Sequence, residues 1–124
     1  MAKAYGTPVL SAEEWLRQSY DTNGADLYEL IQNNEAYAEI RGPHSLDARY
    51  ITEDVPMSLV PISELGHLAG VPVPNMDAVI QLASALFRRD FRREGHSAER
   101  LGIDSMTREE IVRFFETGER GSGI

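Results

Sequence analysis

Met76, Val79, Ile80, Ala83, Leu86 and Phe87 fall at i, i+3, i+4, i+7, i+10 and i+11. That spacing lines one face of an α-helix, with Gln81, Ser84 and Arg88 off the stripe and small Ala83 and Ala85 leaving room for a neighbouring helix. An apolar stripe must be buried against something, and the rest of the chain offers more helix. Ser11 opens a capping box with Glu14 ahead of Trp15 and Leu16, which predicts a helix to about Tyr20 that stops near Asn23-Gly24. Asp26 can cap a second helix carrying Leu27, Leu30 and Ile31, Asn33-Asn34 interrupts it, and Glu35 to Ile40 offers another turn or two. Arg41-Gly42-Pro43-His44-Ser45 reads as a loop. Pro56 suits a first helical turn, whereas Pro61 lacks a donor and clashes with the preceding turn, so two helical pieces are expected to meet at Pro61. Gly70 has the place of a helix stop, and Val71-Pro72-Val73-Pro74 must be extended or turning. Ser97 and Thr107 are further caps, the second boxed with Glu110, and Ile111, Phe114 and Phe115 would anchor the last helix. With no hairpin pattern and no internal repeat, the expectation is an all-α fold. It is a compact multi-helix bundle forming one domain over residues 1–117, followed by a glycine-rich flexible tail over 118–124.

Composition narrows the function classes. A chain of 124 residues with 42% hydrophobic and 26% charged residues is an ordinary single domain. There is no cysteine, hence no thiolate metal site, and a reducing, cytoplasmic setting is expected. No stretch nears the ~20 apolar residues of a membrane span. The formal charge of −8 disfavours nucleic acid and anionic lipid as partners. Arg88, Arg89, Arg92 and Arg93 cluster locally, either as a solvated helix end or as an anion patch. His44, His67 and His96 stand alone in their segments, without the i, i+4 pairing of a helical metal site. No Gly-x-Gly-x-x-Gly or Gly-Lys-Ser/Thr loop is present, so no metal and no dinucleotide site is expected in this chain.

The chemically densest stretch is Arg49-Tyr50-Ile51-Thr52-Glu53-Asp54-Val55-Pro56. Arg49 could hold a substrate carboxylate, because its planar fork matches two carboxylate oxygens. Asp54 could orient and charge-stabilise a histidine base, the third-group role of a catalytic triad. The plain alternative is an intrahelical ion pair with an acidic cap before Pro56. The i, i+5 offset of Arg49 and Asp54 is not that of helix-surface pairs, which are spaced i, i+3 or i, i+4.

A series of blocks in one order resembles the C-terminal helical domain of the opine dehydrogenases, the octopine and nopaline dehydrogenase group. The blocks begin with Leu27-Tyr28, Ile31-Gln32-Asn33-Asn34, Gly42-Pro43 and Ser45-Leu46. Arg49-Tyr50, Thr52-Glu53-Asp54-Val55-Pro56 and Leu59-Val60-Pro61 come next. Gly70-Val71-Pro72 with Pro74, Asp77-Ala78 with Ile80, Leu82-Ala83-Ser84 and Leu101-Gly102-Ile103 complete the series, which covers roughly residues 3–117. The resemblance implies NADH- or NADPH-dependent reductive condensation of an amino acid with an α-keto acid, in a cleft between a Rossmann domain and this helical one. It also implies that Arg49 and Asp54 are two members of a catalytic group, Arg49 drawing in a substrate carboxylate and Asp54 holding a histidine in one tautomer and favouring its charged form.

The family's histidine lies upstream of the matched segment, and His44 sits in the Gly-Pro loop where the family does not place its base. The Rossmann domain has no counterpart here either. The expectation is therefore the second part of an opine dehydrogenase, truncated or split, holding no cofactor itself. NAD or NADP would belong to the complete enzyme, and the isolated chain would be inactive. The alternative is a stand-alone, non-catalytic helical binding or oligomerisation module. Expected partners are the amino acid and keto acid of the complete enzyme, a Rossmann-domain polypeptide if the enzyme is split, and a second copy of the chain covering an apolar patch.

Overall fold

A computed structural model describes residues 1–120, and every regular element among them is helical, with no strand. The expected all-α class is what the chain adopts. It divides into two units, one formed by Pro8–His44 and the other by Met1–Thr7 together with the residues from Ser45 onward. The short first helix, α1 (Ala2–Tyr5), belongs to the larger unit.

The Pro8–His44 unit begins with α2 (Ala12–Ser19). Its capping box closes as the sequence requires. Ser11 N donates to Glu14 at 2.8 Å, and Glu14 N donates to the Ser11 hydroxyl at 3.1 Å. Asp26 caps α3 (Leu27–Gln32) by accepting from Glu29 N, and Asn34 caps a 3₁₀ turn at Glu35–Tyr37. Leu16 and Leu30 are the buried apolar residues of this unit. Tyr20 stands edge-on to both Trp15 and Tyr37, with ring centroids 5.5 and 5.4 Å apart.

The larger unit is organised around a nearly continuous helical rod. α4 (Arg49–Thr52) runs into a π-helical turn at Val55–Leu59 and then into α5 (Val60–Leu68). After the rod come α6 (Pro74–Phe87), α7 (Phe91–Glu94), α8 (Ala98–Leu101) and α9 (Arg108–Thr117). One core gathers Val55, Val60, Ile80, Ala83 and Phe91, with Ile51, Leu59 and Phe87 packed against it. The other gathers Ala98, Ile103 and Ile111 with Tyr5, Leu65, Leu68, Leu101, Met106 and Phe114. The caps expected at Ser97 and Thr107 form, and Gly70 adopts the left-handed φ of 67° that ends α5.

The two helical pieces expected to meet at Pro61 do so: the π turn ends at Leu59 and α5 starts at Val60, with Pro61 in its first turn. Two expectations need correction. The stripe on α6 is not buried as a whole. Met76, Ile80, Ala83 and Phe87 span one narrow arc and face inward, whereas Val79 and Leu86 lie roughly 60–80° round the axis from Met76 at 100° per residue. There they are about half exposed beside Leu82, which is 71% exposed. Likewise Ile111 anchors α9 while Phe115 is 59% exposed. Of the tail, Gly118 caps α9 in the left-handed region and the Arg120 guanidinium lies over the Phe114 ring. Residues 121–124 of the expected flexible segment lie outside the described residues.

Candidate functional site

The rod places the chemically dense stretch at one end. Arg49 begins α4, and Asp54 is the residue from which the π turn starts. Arg49, Tyr50 and Asp54 line one open cleft of about 440 Å³. The two residues after Asp54 anchor it, since Val55 and Pro56 are buried in the core while Arg49, Tyr50, Glu53 and Asp54 are exposed. A solvated charged group therefore sits on a rigid base.

Arg49 does not pair with Asp54 across the i, i+5 offset. Its Nε and Nη2 donate to the two carboxylate oxygens of Glu53 at 2.7 and 3.0 Å, an i, i+4 fork. That contact raises the Arg49 pKa and lowers that of Glu53. The pair is open to water, with the Arg49 side chain 84% exposed, and exposed pairs of this kind hold weakly. A carboxylate arriving from solution competes with Glu53 for a guanidinium already oriented in the bidentate geometry. Asp54 lines the same cleft.

The structure also assembles a second polar cluster, which the sequence alone does not single out. Ser63, Glu64 and His67 on α5, Asp77 in the first turn of α6, and Arg92 on α7 converge. The buried Ser63 hydroxyl donates to Asp77 Oδ1 at 2.6 Å and accepts from Arg92 Nη2 at 3.1 Å. His67 Nε2 lies 3.0 Å from Asp77 Oδ2. Arg92 pairs with Glu64 at 2.8 Å and with Asp77. The Ser63 hydrogen bond, then the His67 contact and then Arg92, hold the Asp77 carboxyl at about 2, below its ordinary 3.8 and against the opposing effect of burial. This is not a nucleophile triad, because the serine proton is directed to the aspartate and not to the histidine. The cluster ties three helices together. Its one sequence signal is the i, i+4 spacing of Ser63 and His67, which puts both on one face of α5.

The arginine run disperses in three dimensions. Arg88 ends α6, Arg89 pairs with Glu94 and lies over the Phe91 ring, and Arg92 enters the polar cluster. These contacts fit the helix-end reading of the run better than an anion patch. Among the described residues no group of three or more histidine, cysteine or acidic side chains is arranged to hold a metal ion, and no helix is long and apolar enough to cross a membrane.

A family model described as NAD/NADP octopine/nopaline dehydrogenase, alpha-helical domain, matches residues 1–87. The chain is 47% identical over 107 residues to an opine dehydrogenase of Arthrobacter sp. (strain 1C), covering 86% of this chain and 30% of that protein. It is 30% identical over 99 residues to Protein ocs of Agrobacterium tumefaciens (strain Ach5), covering 80% of this chain and 28% of that protein. An octopine dehydrogenase of Mizuhopecten yessoensis is 36% identical over 67 residues, which is 47% of this chain and 17% of that protein. The chain thus spans less than a third of the length of these relatives.

Proposed function

Because the chain belongs to the NAD/NADP octopine/nopaline dehydrogenase family, matching its alpha-helical domain, we propose that it is the substrate-binding domain of an opine dehydrogenase-like oxidoreductase. The reaction class is the NAD(P)H-dependent reductive condensation of an amino acid with an α-keto acid, in the cytoplasm. The observation that carries the reading is the convergence of Arg49 and Asp54 on one open cleft, at the solvated end of a rod whose next residues are buried. Arg49 exchanges Glu53 for a substrate carboxylate and fixes its orientation through two parallel hydrogen bonds. Asp54 accepts a hydrogen bond from a histidine supplied by another part of the enzyme, sets its tautomer and favours its protonated form.

The residues present do not fit a dinucleotide. A Rossmann phosphate loop is a strand-to-helix turn, and among the described residues no strand leads into any helix. NAD(P)H and the histidine therefore belong to a separate portion, and the chain alone is proposed to be inactive.

The test pairs the chain with the separately produced remainder of the Arthrobacter relative, in NADH or NADPH with pyruvate and a panel of amino acids. Cofactor oxidation should appear only with both components, and should fall at least about 100-fold with Arg49→Ala or Asp54→Asn, as expected for loss of positioned charge. Turnover that those substitutions leave unchanged would remove both residues from the site.

A second reading has its own observation. Ala78, Val79, Leu82, Ala85 and Leu86 make a charge-free exposed face along α6. A stand-alone helical module that binds or self-associates through this face would form oligomers that Leu82→Glu disperses, measured by light scattering across micromolar concentrations.

A further inference from the structure

The end of α7 is built onto the backbone immediately after Asp54. In the π turn, Val60 N donates to the Val55 carbonyl five residues back. The next bond of that register would run from residue 61 to the Pro56 carbonyl, and Pro61 has no N–H to give. The Pro56 carbonyl is thus left without a helical donor while Pro56 itself is buried. An orphaned buried carbonyl is costly, and here it is satisfied from outside the rod: His96 N donates to it at 3.0 Å. The approach requires glycine at the preceding position. A Cβ on Gly95 would collide with the Pro56 oxygen and lie 2.7 Å from the Phe91 carbonyl oxygen.

The donor is held from several sides. Asp90 caps α7 by accepting from Arg93 N, and the Ser84 hydroxyl accepts from Phe91 N at 3.2 Å. Phe91 is fully buried against Val55 and Val60, and Arg92 is tied into the Ser63–Asp77 cluster. The two prolines of the rod and the glycine–histidine pair after α7 therefore act as one device. The prolines create a free carbonyl, and Gly95 admits the amide that captures it.

We infer that Gly95 and the His96 amide are positioning residues for Asp54, fixing the π turn from which its carboxylate projects into the Arg49 cleft. The functional consequence rests on the reading of Asp54 given above, but the positioning is measurable in the isolated chain. Two variants test it by NMR. Gly95→Ala pushes the chain away from the Pro56 oxygen. Pro61→Ala restores an N–H that competes for that oxygen from within the rod and introduces no clash. In each, hydrogen exchange at the His96 amide should accelerate by about tenfold or more, and the backbone amide and side-chain carboxyl resonances of Asp54 should shift. Ile103→Ala, in the other core, is the control for general loosening and should leave the Asp54 resonances in place. Unchanged His96 protection and unchanged Asp54 resonances in Pro61→Ala overturn the proposal, whether or not Gly95→Ala folds. So does an equal Asp54 response in Ile103→Ala. If instead the Asp54 resonances respond as expected while Asp54→Asn leaves turnover intact in the two-component assay, the positioning stands and the catalytic reading falls.

Discussion

Phe91→Ala is the perturbation that bears hardest on the arrangement described. Phe91 is fully buried among Val55, Val60, Ile80 and Ala83. Its ring centroid lies 6.0 Å from that of Phe87, and the Arg89 guanidinium lies 4.9 Å above it. Truncation removes the whole ring and its contacts, on the order of 3–5 kcal/mol for a buried phenylalanine. The upper half applies here, because the neighbours sit on α6 and on a π turn that contains Pro56 and runs into Pro61, and they cannot readily collapse into the space. Against a typical total of about 5–15 kcal/mol, that is a large share of the stability. With an unfolding entropy of about 2.1 cal/mol/K per residue, a loss of about 4 kcal/mol lowers the melting temperature of a chain this size by roughly 15 °C. The assay is urea unfolding monitored by far-UV circular dichroism, with Trp15 fluorescence alongside. Trp15 is the one tryptophan and lies in the Pro8–His44 unit, so its signal reports that unit while dichroism weights the helices of the other. Phe91→Leu keeps most of the volume and should cost less than half as much. A Phe91→Ala chain within about 1.5 kcal/mol of the parent would refute the assignment of Phe91 as the keystone between α6, α7 and the π turn.

Arg88 ends α6 with a left-handed φ of 52°, a conformation that costs a side-chain-bearing residue about 1–2 kcal/mol. Arg88→Gly should therefore raise the urea midpoint, by an amount equivalent to about 1 kcal/mol; a fall would show that the arginine side chain matters more than the backbone there. Asp77 is depressed to about 2, so its contribution is complete above its ordinary 3.8 and is lost as pH falls through about 2. Asp77→Asn should flatten the acid limb of a stability profile between those values, and a limb identical to the parent's would refute the cluster's role. Glu53→Gln releases Arg49 from its fork, so the Arg49 Nε–H resonance should respond to pyruvate at several-fold lower concentration than in the parent; an equal or weaker response counts against Arg49 as the carboxylate receptor.

The features legible in the sequence were those decided locally. Ser11 with Glu14, and Thr107 with Glu110, close their boxes because both partners lie within one turn. Gly70 stops α5 because a residue free of Cβ strain is needed there. Arg49 and Asp54 stand out because opposed charges lie close together in the chain. The features that escaped were decided between segments. The α6 stripe looks uniform because periodicity gives an arc and not the width of the neighbour that covers it, so the spacing alone does not separate the exposed Val79 and Leu86 from the inward Ile80, Ala83 and Phe87. The i, i+4 partner of Arg49 is Glu53, which shares a helix face with it, whereas Asp54 at i+5 lies on a different side of the helix.

Pro61 is the most instructive position, because one rule governs both its local and its long-range effect. A proline in a helix removes a donor, and read locally that predicts a junction between two helical pieces. In the folded chain the junction is a π turn running into α5, and the missing donor leaves the Pro56 carbonyl to be satisfied from elsewhere. That carbonyl must then be satisfied by something, and here a close-approaching backbone amide, that of His96, reaches it. A glycine preceding a residue with a free N–H, arriving at the end of a short capped helix, meets that requirement. Gly95-His96 looks inert in the sequence, and its role emerges only once the missing donor at Pro61 is traced to the acceptor it leaves behind.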